Sequence, residues 1–341
     1  ELRIGETVEH LGVPYTISGK LEDDLELTMS AKGAKKYSRT LCRTQACSQT
    51  WDSQLASILP FLPREDYRPR YKTCAVVSSG KQLVPNTEKG EDEHSREPHG
   101  NDIDSHTMIL RLDNAPTVGY EKWVGSRTTH RLVQGEYARL VHSMLGTEIV
   151  VNQTKSVVTP STWWADGYPS VEKVTYMMAV PGQSGKQQLR APEHNGYAPF
   201  TEVFPGSKRF LLSPTFLRRT GEAHDRVREV VRNLGLACYK DTEKSDQVPP
   251  LFLAVIFSLQ VCNSVDLYGV SVGGETHQTS NKVYRDKHFR VRTRHSNSGA
   301  NECCYFPRLE GYNPEVELCD ELSRRHALRL LLETSPLRIF E

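Results

Sequence analysis

The hydrophobic and polar positions of this 341-residue chain alternate between short apolar runs and amphipathic stretches. Residues 71–80 form a β-branched run that ends in small residues, which is typical of a buried strand opening into a turn before a helix. Similar strand-like runs lie at 108–112, 174–180 and 209–212. Residues 222–235 place apolar side chains at helical spacing and end on a glycine. Strands that alternate with helices favour an α/β fold with a largely parallel sheet.

The longest apolar run, residues 251–261, is too short to cross a bilayer, which requires about 18 residues or more. It predicts a buried helix or strand. Residues 84–102 are polar and rich in Pro, Gly and charge, and they predict an exposed loop. The first 65 residues contain no long periodic segment. We interpret residues 1–65 as an N-terminal stem or extension that precedes one domain over 66–341.

Composition and charge exclude several classes of protein. With 37% hydrophobic and 25% charged residues, the chain is typical of globular rather than disordered proteins. Its 43 Lys and Arg nearly balance 42 Asp and Glu, so the net charge gives no reason to expect binding to nucleic acid or to an anionic membrane. Positive charge is concentrated only in residues 282–295. This stretch either contacts a phosphate or an acidic glycan, or it forms a solvated surface.

The cysteines and one sequon bear on the cellular compartment. The chain has eight cysteines and no Cys-x-x-Cys pair, so a zinc site built from thiolates is not expected. The sequon at Asn152 would accept an N-linked glycan if the chain entered the secretory pathway. Because the chain begins at Glu1 without a signal-like segment, we expect a targeting or anchor region upstream of it.

Two sets of segments resemble the sialylmotifs of the animal-type sialyltransferases, Golgi enzymes that transfer sialic acid from CMP-sialic acid to a glycan. Cys74-Ala-Val-Val-Ser-Ser-Gly80, Ile103-Asp-Ser-His106 and residues 110–129 follow the order of the large sialylmotif. Residues 250–270, in which a cysteine precedes Val-Asp-Leu-Tyr-Gly, are similar to the small sialylmotif. The segment 337–340 resembles the end of the family's chains.

The resemblance implies an α/β fold of one variant Rossmann-like (GT-A-like) nucleotide-sugar transferase domain with a mostly parallel central sheet. It also implies that the two motif cysteines, Cys74 and Cys262, form a disulfide. Such a cross-link closes a loop of roughly 190 residues and would stabilise the fold by about 5 kcal/mol in the chain-entropy model. It requires an oxidising compartment, and two buried free thiols are the alternative.

The resemblance further implies a CMP-sugar donor, a glycan acceptor and no metal or other cofactor. The turn Ser78-Ser79-Gly80 offers backbone N–H groups and hydroxyls as the predicted cradle for the phosphate or ribose of the donor. At the position where the family has a donor-contacting Asn, this chain has Asp113, followed by Asn114. An aspartate cannot donate an amide hydrogen bond, and its charge opposes a phosphate. Either Asn114 takes over this contact or donor binding is altered.

Further donor-site and base positions depart from the family pattern. Pro249 and Pro250 stand where the small motif has hydroxyl residues, which removes two N–H donors and both hydroxyls. Tyr305 belongs to the candidate aromatic motif that precedes the base. The base position itself falls on Asn313, whose amide cannot accept a proton at neutral pH. His326, the nearest histidine, is either a residue of an amphipathic surface helix or a displaced base.

Four residues of the large motif allow a structural interpretation. Asp102 and Asp104 mimic an Asp-x-Asp metal clasp, but they belong to the Ile-Asp-x-His box and no metal is expected. His106 is predicted to order the adjacent turns by hydrogen bonding. Trp123 stands where the family has an Asp.

Three functions remain open at this point. The first is the luminal catalytic domain of a type II Golgi membrane enzyme that transfers sialic acid from CMP-sialic acid to a galactose-type acceptor on a glycoprotein or glycolipid. The second is transfer of another 2-keto acid sugar from its CMP derivative. The third is a catalytically silent sialyltransferase-like binding protein. No nucleic acid partner is expected, and the membrane is contacted only through an anchor outside this sequence.

Overall fold

The computed structural model of the chain describes residues 7–10, 13–16, 25–34, 45, 56, 58–78, 83–85, 97–112, 117, 119–134, 148–151, 154–157, 174–179, 208–233, 248, 250–270 and 337–340. Within these ranges, no helix combines the length and the apolarity that spanning a bilayer requires.

The described residues form eleven strands in three sheets. The strands are β1 Thr7–His10, β2 Val13–Thr16, β3 Tyr71–Val77, β4 Met108–Leu112, β5 His130–Gln134, β6 Glu148–Val151, β7 Thr154–Val157, β8 Thr175–Ala179, β9 Lys208–Leu211, β10 Cys262–Tyr268 and β11 Leu337–Phe340. Two antiparallel hairpins, β1–β2 and β6–β7, stand apart from a seven-stranded sheet. The longer helices are α3 Pro214–Asn233 and α4 Pro250–Val261, and two short ones are α1 Gly100–Asp104 and α2 Glu121–Val124.

The large sheet is parallel throughout, in the order β11-β10-β3-β4-β5-β8-β9. From β3 the chain adds β4, β5, β8 and β9 on one side and then returns to place β10 and β11 on the other. The strand order therefore reverses between β3 and β10. In open α/β sheets, ligands bind at the carboxyl ends of the strands at such a switch point. The predicted α/β fold with a mostly parallel sheet is confirmed.

Side chains of β3 are buried on both faces of the sheet. Cys74 and Val76 pack in the cluster that contains α4, whereas Ala75 and Val77 pack on the opposite face with residues of α1 and α2. All four are fully buried. Burial on both faces is typical of parallel sheets, and it explains why this strand reads as a continuous apolar run.

The apolar run near residue 255 is a helix rather than a strand. Residues 251–261 of α4 are all buried, and the helix passes directly into β10 at Cys262. Each large aliphatic or aromatic side chain buried in this way contributes about 1.5–3 kcal/mol. The rings of Phe257 and of Phe216 in α3 contact edge to face, with centroids 6.2 Å apart. The helix therefore fixes β10, and with it one side of the switch point.

Part of the first 65 residues packs on the sheet. The backbone N–H of Met29 donates to the carbonyl of Leu211 at 2.7 Å, next to a bridge between Thr28 and Leu212. The carboxylate of Asp66 accepts hydrogen bonds from the backbone N–H and the hydroxyl of Thr28, each at 2.7 Å. This segment covers the β9 edge of the sheet. The division of the chain at residue 65 stays a prediction.

Two predicted boundaries differ from the structure. Helix α3 begins at Pro214 rather than at residue 222, because the hydroxyl of Ser213 accepts the N–H of Phe216 at 2.9 Å and caps the helix, with proline at its first position. The predicted loop at 84–102 ends in a buried turn, since His99 and Gly100 are buried and α1 starts there. The strand-like runs at 108–112, 174–180 and 209–212 correspond to β4, β8 and β9.

Candidate functional site

The carboxyl ends of β3 and β10 meet at the switch point. The backbone N–H of Ser78 donates to the carbonyl of Tyr268 at 3.0 Å, which ties the ends of the two strands together. Gly269 adopts φ of +76°, and a Cβ on this residue would lie 2.7 Å from Leu83. Only glycine combines this conformation with so close an approach. The two sialylmotif segments thus converge at the carboxyl edge of the sheet.

A disulfide joins the two motif segments. Cys74 of β3 and Cys262 of β10 are linked, with their Cα atoms 6.1 Å apart. The predicted pairing is confirmed, and the alternative of two free thiols is wrong. The bond spans 188 residues of sequence and holds together the two strands that end at the switch point.

Asp104 anchors the loop that follows α2. Its carboxylate accepts hydrogen bonds from the backbone N–H of Ser126 at 2.8 Å and of Arg127 at 2.9 Å, and from the Ser126 hydroxyl at 2.8 Å. Gly125 has φ of +73°, and a Cβ there would lie 2.5 Å from the Asp104 carboxylate. In the described part of the chain, no group of three or more His, Cys, Asp or Glu could hold a metal ion. The carboxylate of Asp104 therefore has a structural task in this loop.

Arg111 fixes the same loop from inside the sheet. Its side chain is fully buried, and Nη2 donates to the carbonyls of Val124 at 2.6 Å and Arg127 at 2.8 Å. Nε donates to the hydroxyl of Thr128 at 3.0 Å. Arg111 is not among the predicted site residues, although a lone arginine within an apolar strand is a signal for a buried, hydrogen-bonded charge. Trp123 is buried on the face of the sheet that also carries Ala75 and Val77.

His106 pairs with a carboxylate from the other motif. Its Nε2 lies 3.0 Å from Asp266 of β10, and Nδ1 lies 2.8 Å from the carbonyl of Asp102. Arg338 of β11 donates to the other oxygen of Asp266 at 2.7 Å. Burial opposes the charged form of each buried group, yet the hydrogen bonds to Asp266 and Asp102 raise the pKa of His106, and those from His106 and Arg338 lower the pKa of Asp266.

A second histidine is buried at the amino edge of the sheet, where the parallel strands begin. His130 begins β5, and its Nε2 lies 2.8 Å from the hydroxyl of Tyr67 and 3.3 Å from that of Tyr71. Its Nδ1 lies 2.8 Å from the hydroxyl of Thr129. Burial lowers the pKa of His130 to about 4, so it is neutral at physiological pH. The amino edge carries this cluster, and the switch point is at the carboxyl edge.

Two of the predicted donor-binding residues are described. Ser78 lies at the switch point, as given above. Pro250 is the first residue of α4, where the missing N–H costs the helix nothing. The other predicted site residues lie outside the described residues: Ser79, Gly80, Asp113, Asn114, Asn152, Pro249, Tyr305, Asn313 and His326. Their roles stay predictions, as does the basic stretch at 282–295.

Comparison with known proteins identifies the family. Residues 26–299 match the model of glycosyltransferase family 29 (sialyltransferase). The beta-galactoside alpha-2,6-sialyltransferase 2 proteins of Danio rerio and Homo sapiens are 26% identical over 218 residues and 25% identical over 217 residues, which is 62% of this chain in both cases. These alignments cover 34% and 33% of the two relatives, so the chain spans about a third of their length.

A solved mammalian sialyltransferase aligns over 94% of this chain and 92% of its own, with 17% identity and a TM-score of 0.43. The family match covers most of the chain, including both sialylmotif segments, and the two segments converge at the switch point of the sheet. The chain belongs to glycosyltransferase family 29, the sialyltransferases.

Proposed function

We propose that this chain transfers sialic acid from CMP-sialic acid to a galactose-type glycan acceptor on a glycoprotein or glycolipid. The observation that carries the proposal is the convergence of both sialylmotif segments at the switch point, where the N–H of Ser78 meets the carbonyl of Tyr268. The curated relatives are named as beta-galactoside alpha-2,6-sialyltransferases. Their names favour a β-galactoside acceptor here as well.

The proposed reaction is an inverting displacement. The acceptor hydroxyl oxygen bonds to C2 of sialic acid, the bond from C2 to the phosphate oxygen breaks, and CMP leaves with the electron pair. The acceptor proton passes to a base. We assign the donor phosphate and ribose to the predicted turn of Ser78, Ser79 and Gly80, through the backbone N–H groups of Ser79 and Gly80, because the N–H of Ser78 already donates to Tyr268.

Several further residues complete the proposed donor site. Asn114 supplies the amide contact that Asp113 cannot make. The segment with Pro249 and Pro250 borders the donor without donating hydrogen bonds, and Tyr305 contributes an aromatic contact. These departures from the family pattern make donor affinity the property that most needs measurement.

The base is the second open role. Asn313 occupies the family position but cannot accept a proton, which leaves His326 as the candidate. Substitution of His326 by alanine distinguishes the two possibilities. Loss of transfer with unchanged CMP affinity identifies a displaced base, and unchanged transfer identifies a residue of a surface helix.

The proposed setting is the Golgi lumen, with the chain as part of a type II membrane protein whose anchor lies outside this sequence. The disulfide between Cys74 and Cys262 supports an oxidising compartment. In that compartment the sequon at Asn152 is a proposed glycosylation site. Residues 66–341 form the proposed catalytic domain. Residues 1–65 form the preceding extension, part of which packs on the sheet.

CMP is expected to stabilise the protein against heat. At 100 times its dissociation constant, a ligand that binds only the folded state adds about 2.7 kcal/mol, which raises the melting temperature of a chain of this size by roughly 4 °C. Thermal denaturation with CMP, CMP-sialic acid and, as a matched control, UMP measures this effect. UMP carries the same ribose phosphate with uracil in place of cytosine, and it should stabilise the protein less.

A transfer assay with CMP-sialic acid and a β-galactoside then tests the reaction itself. No stabilisation by CMP or CMP-sialic acid contradicts the proposed donor. Stabilisation without transfer contradicts the proposed activity and favours a different CMP-sugar or a silent binding protein.

A further inference from the structure

Three segments that are distant in sequence meet around one buried carboxylate. Asp266 of β10 is only 2% exposed and faces His106, which follows α1, and Arg338, which belongs to β11. Nε2 of His106 lies 3.0 Å from Oδ2 of Asp266, and Nε of Arg338 lies 2.7 Å from Oδ1. Nη2 of Arg338 also donates to Oδ2. We call these three residues the Asp266 cluster.

The hydrogen-bond partners of His106 determine its protonation state. Nδ1 faces the carbonyls of Asp102 at 2.8 Å and Ile103 at 3.3 Å, and a carbonyl can only accept a hydrogen bond. Nε2 faces Asp266, which is ionised because its two oxygens accept hydrogen bonds from Nε and Nη2 of the Arg338 guanidinium. Both ring nitrogens must therefore carry a proton. His106 is held as an imidazolium, although it is only 6% exposed.

The Asp266 cluster connects to the switch point through Tyr268. Asp266 and Tyr268 lie two positions apart on β10, so their side chains share one face of the sheet. The rings of His106 and Tyr268 contact edge to face, with centroids 5.9 Å apart at 85°. The carbonyl of Tyr268 accepts the N–H of Ser78, the first residue of the predicted donor turn. A displacement of His106 would thus act on the turn that binds the donor.

We propose that the Asp266 cluster positions the donor site. In this cluster, His106 as an imidazolium holds the carboxyl end of β10 in place for donor binding. The role as a positioning device rests on the proposed function. The protonation state of His106 rests on hydrogen bonds alone, so it can be tested separately.

Other charged groups surround His106, and they define the controls. Arg127 donates to the carbonyl of His106 at 3.4 Å from the loop after α2, and the ring of His99 contacts Tyr268 with centroids 5.6 Å apart. Burial and the charges of Asp266 and Asp102 raise the pKa of Tyr268 well above its usual value, so this phenol stays neutral. Among the described residues, His99 and His106 are the two histidines on this face, and substituting only His106 separates them.

The direction of the pH effect follows from the raised pKa of His106. The imidazolium stabilises the folded arrangement fully below the unfolded-state pKa of about 6.5. This stabilisation is lost as the pH rises through the higher folded-state pKa. Above that pH, one ring nitrogen loses its proton, and either the Asp266 or the Asp102 contact is lost. Donor binding should therefore weaken as the pH rises.

The first test compares donor affinity in wild type, His106→Gln and the control His130→Gln between pH 6 and pH 9. Glutamine keeps one donor for Asp266 but loses the charge and the contact with Asp102. We expect His106→Gln to weaken CMP-sialic acid binding about tenfold at pH 6, the equivalent of one charge-assisted hydrogen bond, with a smaller difference at pH 9. His130→Gln, at the amino edge, should keep the affinity and pH dependence of wild type.

Arg338 provides a variant that should retain its fold, because its side chain is 66% exposed. Arg338→Gln should weaken donor binding several-fold, and Arg338→Lys, which retains the charge but not the paired donors, should restore part of it. Unchanged affinity in both His106→Gln and Arg338→Gln overturns the positioning role. An equal loss in His130→Gln also overturns it, because a general loss of packing would then explain the effect.

NMR of protein labelled with ¹⁵N-histidine tests the protonation state without any ligand. We expect the two ring nitrogens of His106 to show imidazolium shifts at pH 7, assigned by their loss in His106→Gln. Neutral-imidazole shifts overturn the assignment. If wild type binds neither CMP nor CMP-sialic acid, the proposed function and the positioning role both fail, while the NMR result still decides whether His106 is charged.

Discussion

Substitution of Cys262 by serine is expected to lower the free energy of unfolding by about 5 kcal/mol. The disulfide with Cys74 spans 188 residues of sequence, so its loss frees a long loop in the unfolded state. Cys74 itself is fully buried between α4 and the sheet. Its partner is only partly buried, and a serine there adds no large cavity.

Denaturant unfolding with and without a reductant measures this effect and supplies its own control. Reduction should lower the unfolding midpoint of wild type by more than it lowers that of Cys262→Ser, because only wild type contains the disulfide with Cys74. A wild-type midpoint that does not respond to complete reduction, verified by thiol counting, contradicts the prediction.

Gly100→Ala is expected to destabilise the fold by about 3 kcal/mol, because overpacking against rigid backbone forces two elements apart. A Cβ on Gly100 would lie 2.0 Å from the carbonyl oxygen of Glu121 and 2.8 Å from that of Lys122. Gly100 begins α1, and the two carbonyls belong to α2. The close contact between α1 and α2 therefore requires glycine. Thermal and denaturant unfolding measure the loss.

Gly221→Ala is the matched control for this substitution. Gly221 lies within α3, and among the described residues a Cβ there would contact Val248, at an ordinary distance of 3.6 Å. Alanine should stabilise the helix by up to about 1 kcal/mol through its higher helix propensity. The two substitutions add the same methyl group and should change stability in opposite directions. Destabilisation of similar size in both variants would contradict the argument from the close contact.

The parallel character of the sheet was predictable, because parallel strands with two buried faces leave continuous apolar runs such as residues 71–77. The nature of the run at 251–261 was not predictable from its pattern, since a fully buried helix and a buried strand are both uniformly apolar. The start of α3 was missed because its first turn lacks helical periodicity, although Ser213 and Pro214 form a recognisable cap.

The candidate site was predictable to a smaller extent. The turn at Ser78 and the disulfide follow from motifs that lie within short segments. The partner of His106 does not, because Asp266 lies 160 residues further along the chain and only the fold brings them together. The pairing of Asp266 with Arg338 likewise depends on the neighbouring positions of β10 and β11 in the sheet.

The strand order also determines when the molecule can assemble during synthesis. β3 pairs on one side with β10, which the ribosome produces only after roughly 190 more residues, a delay of about 10 to 40 s at ordinary translation rates. During this interval one edge of β3 is open and Cys74 has no partner thiol from β10. An open edge of this kind is a template for wrong pairing. The nascent chain therefore has a period of vulnerability, and its yield should depend on chaperones and disulfide isomerases in the folding compartment.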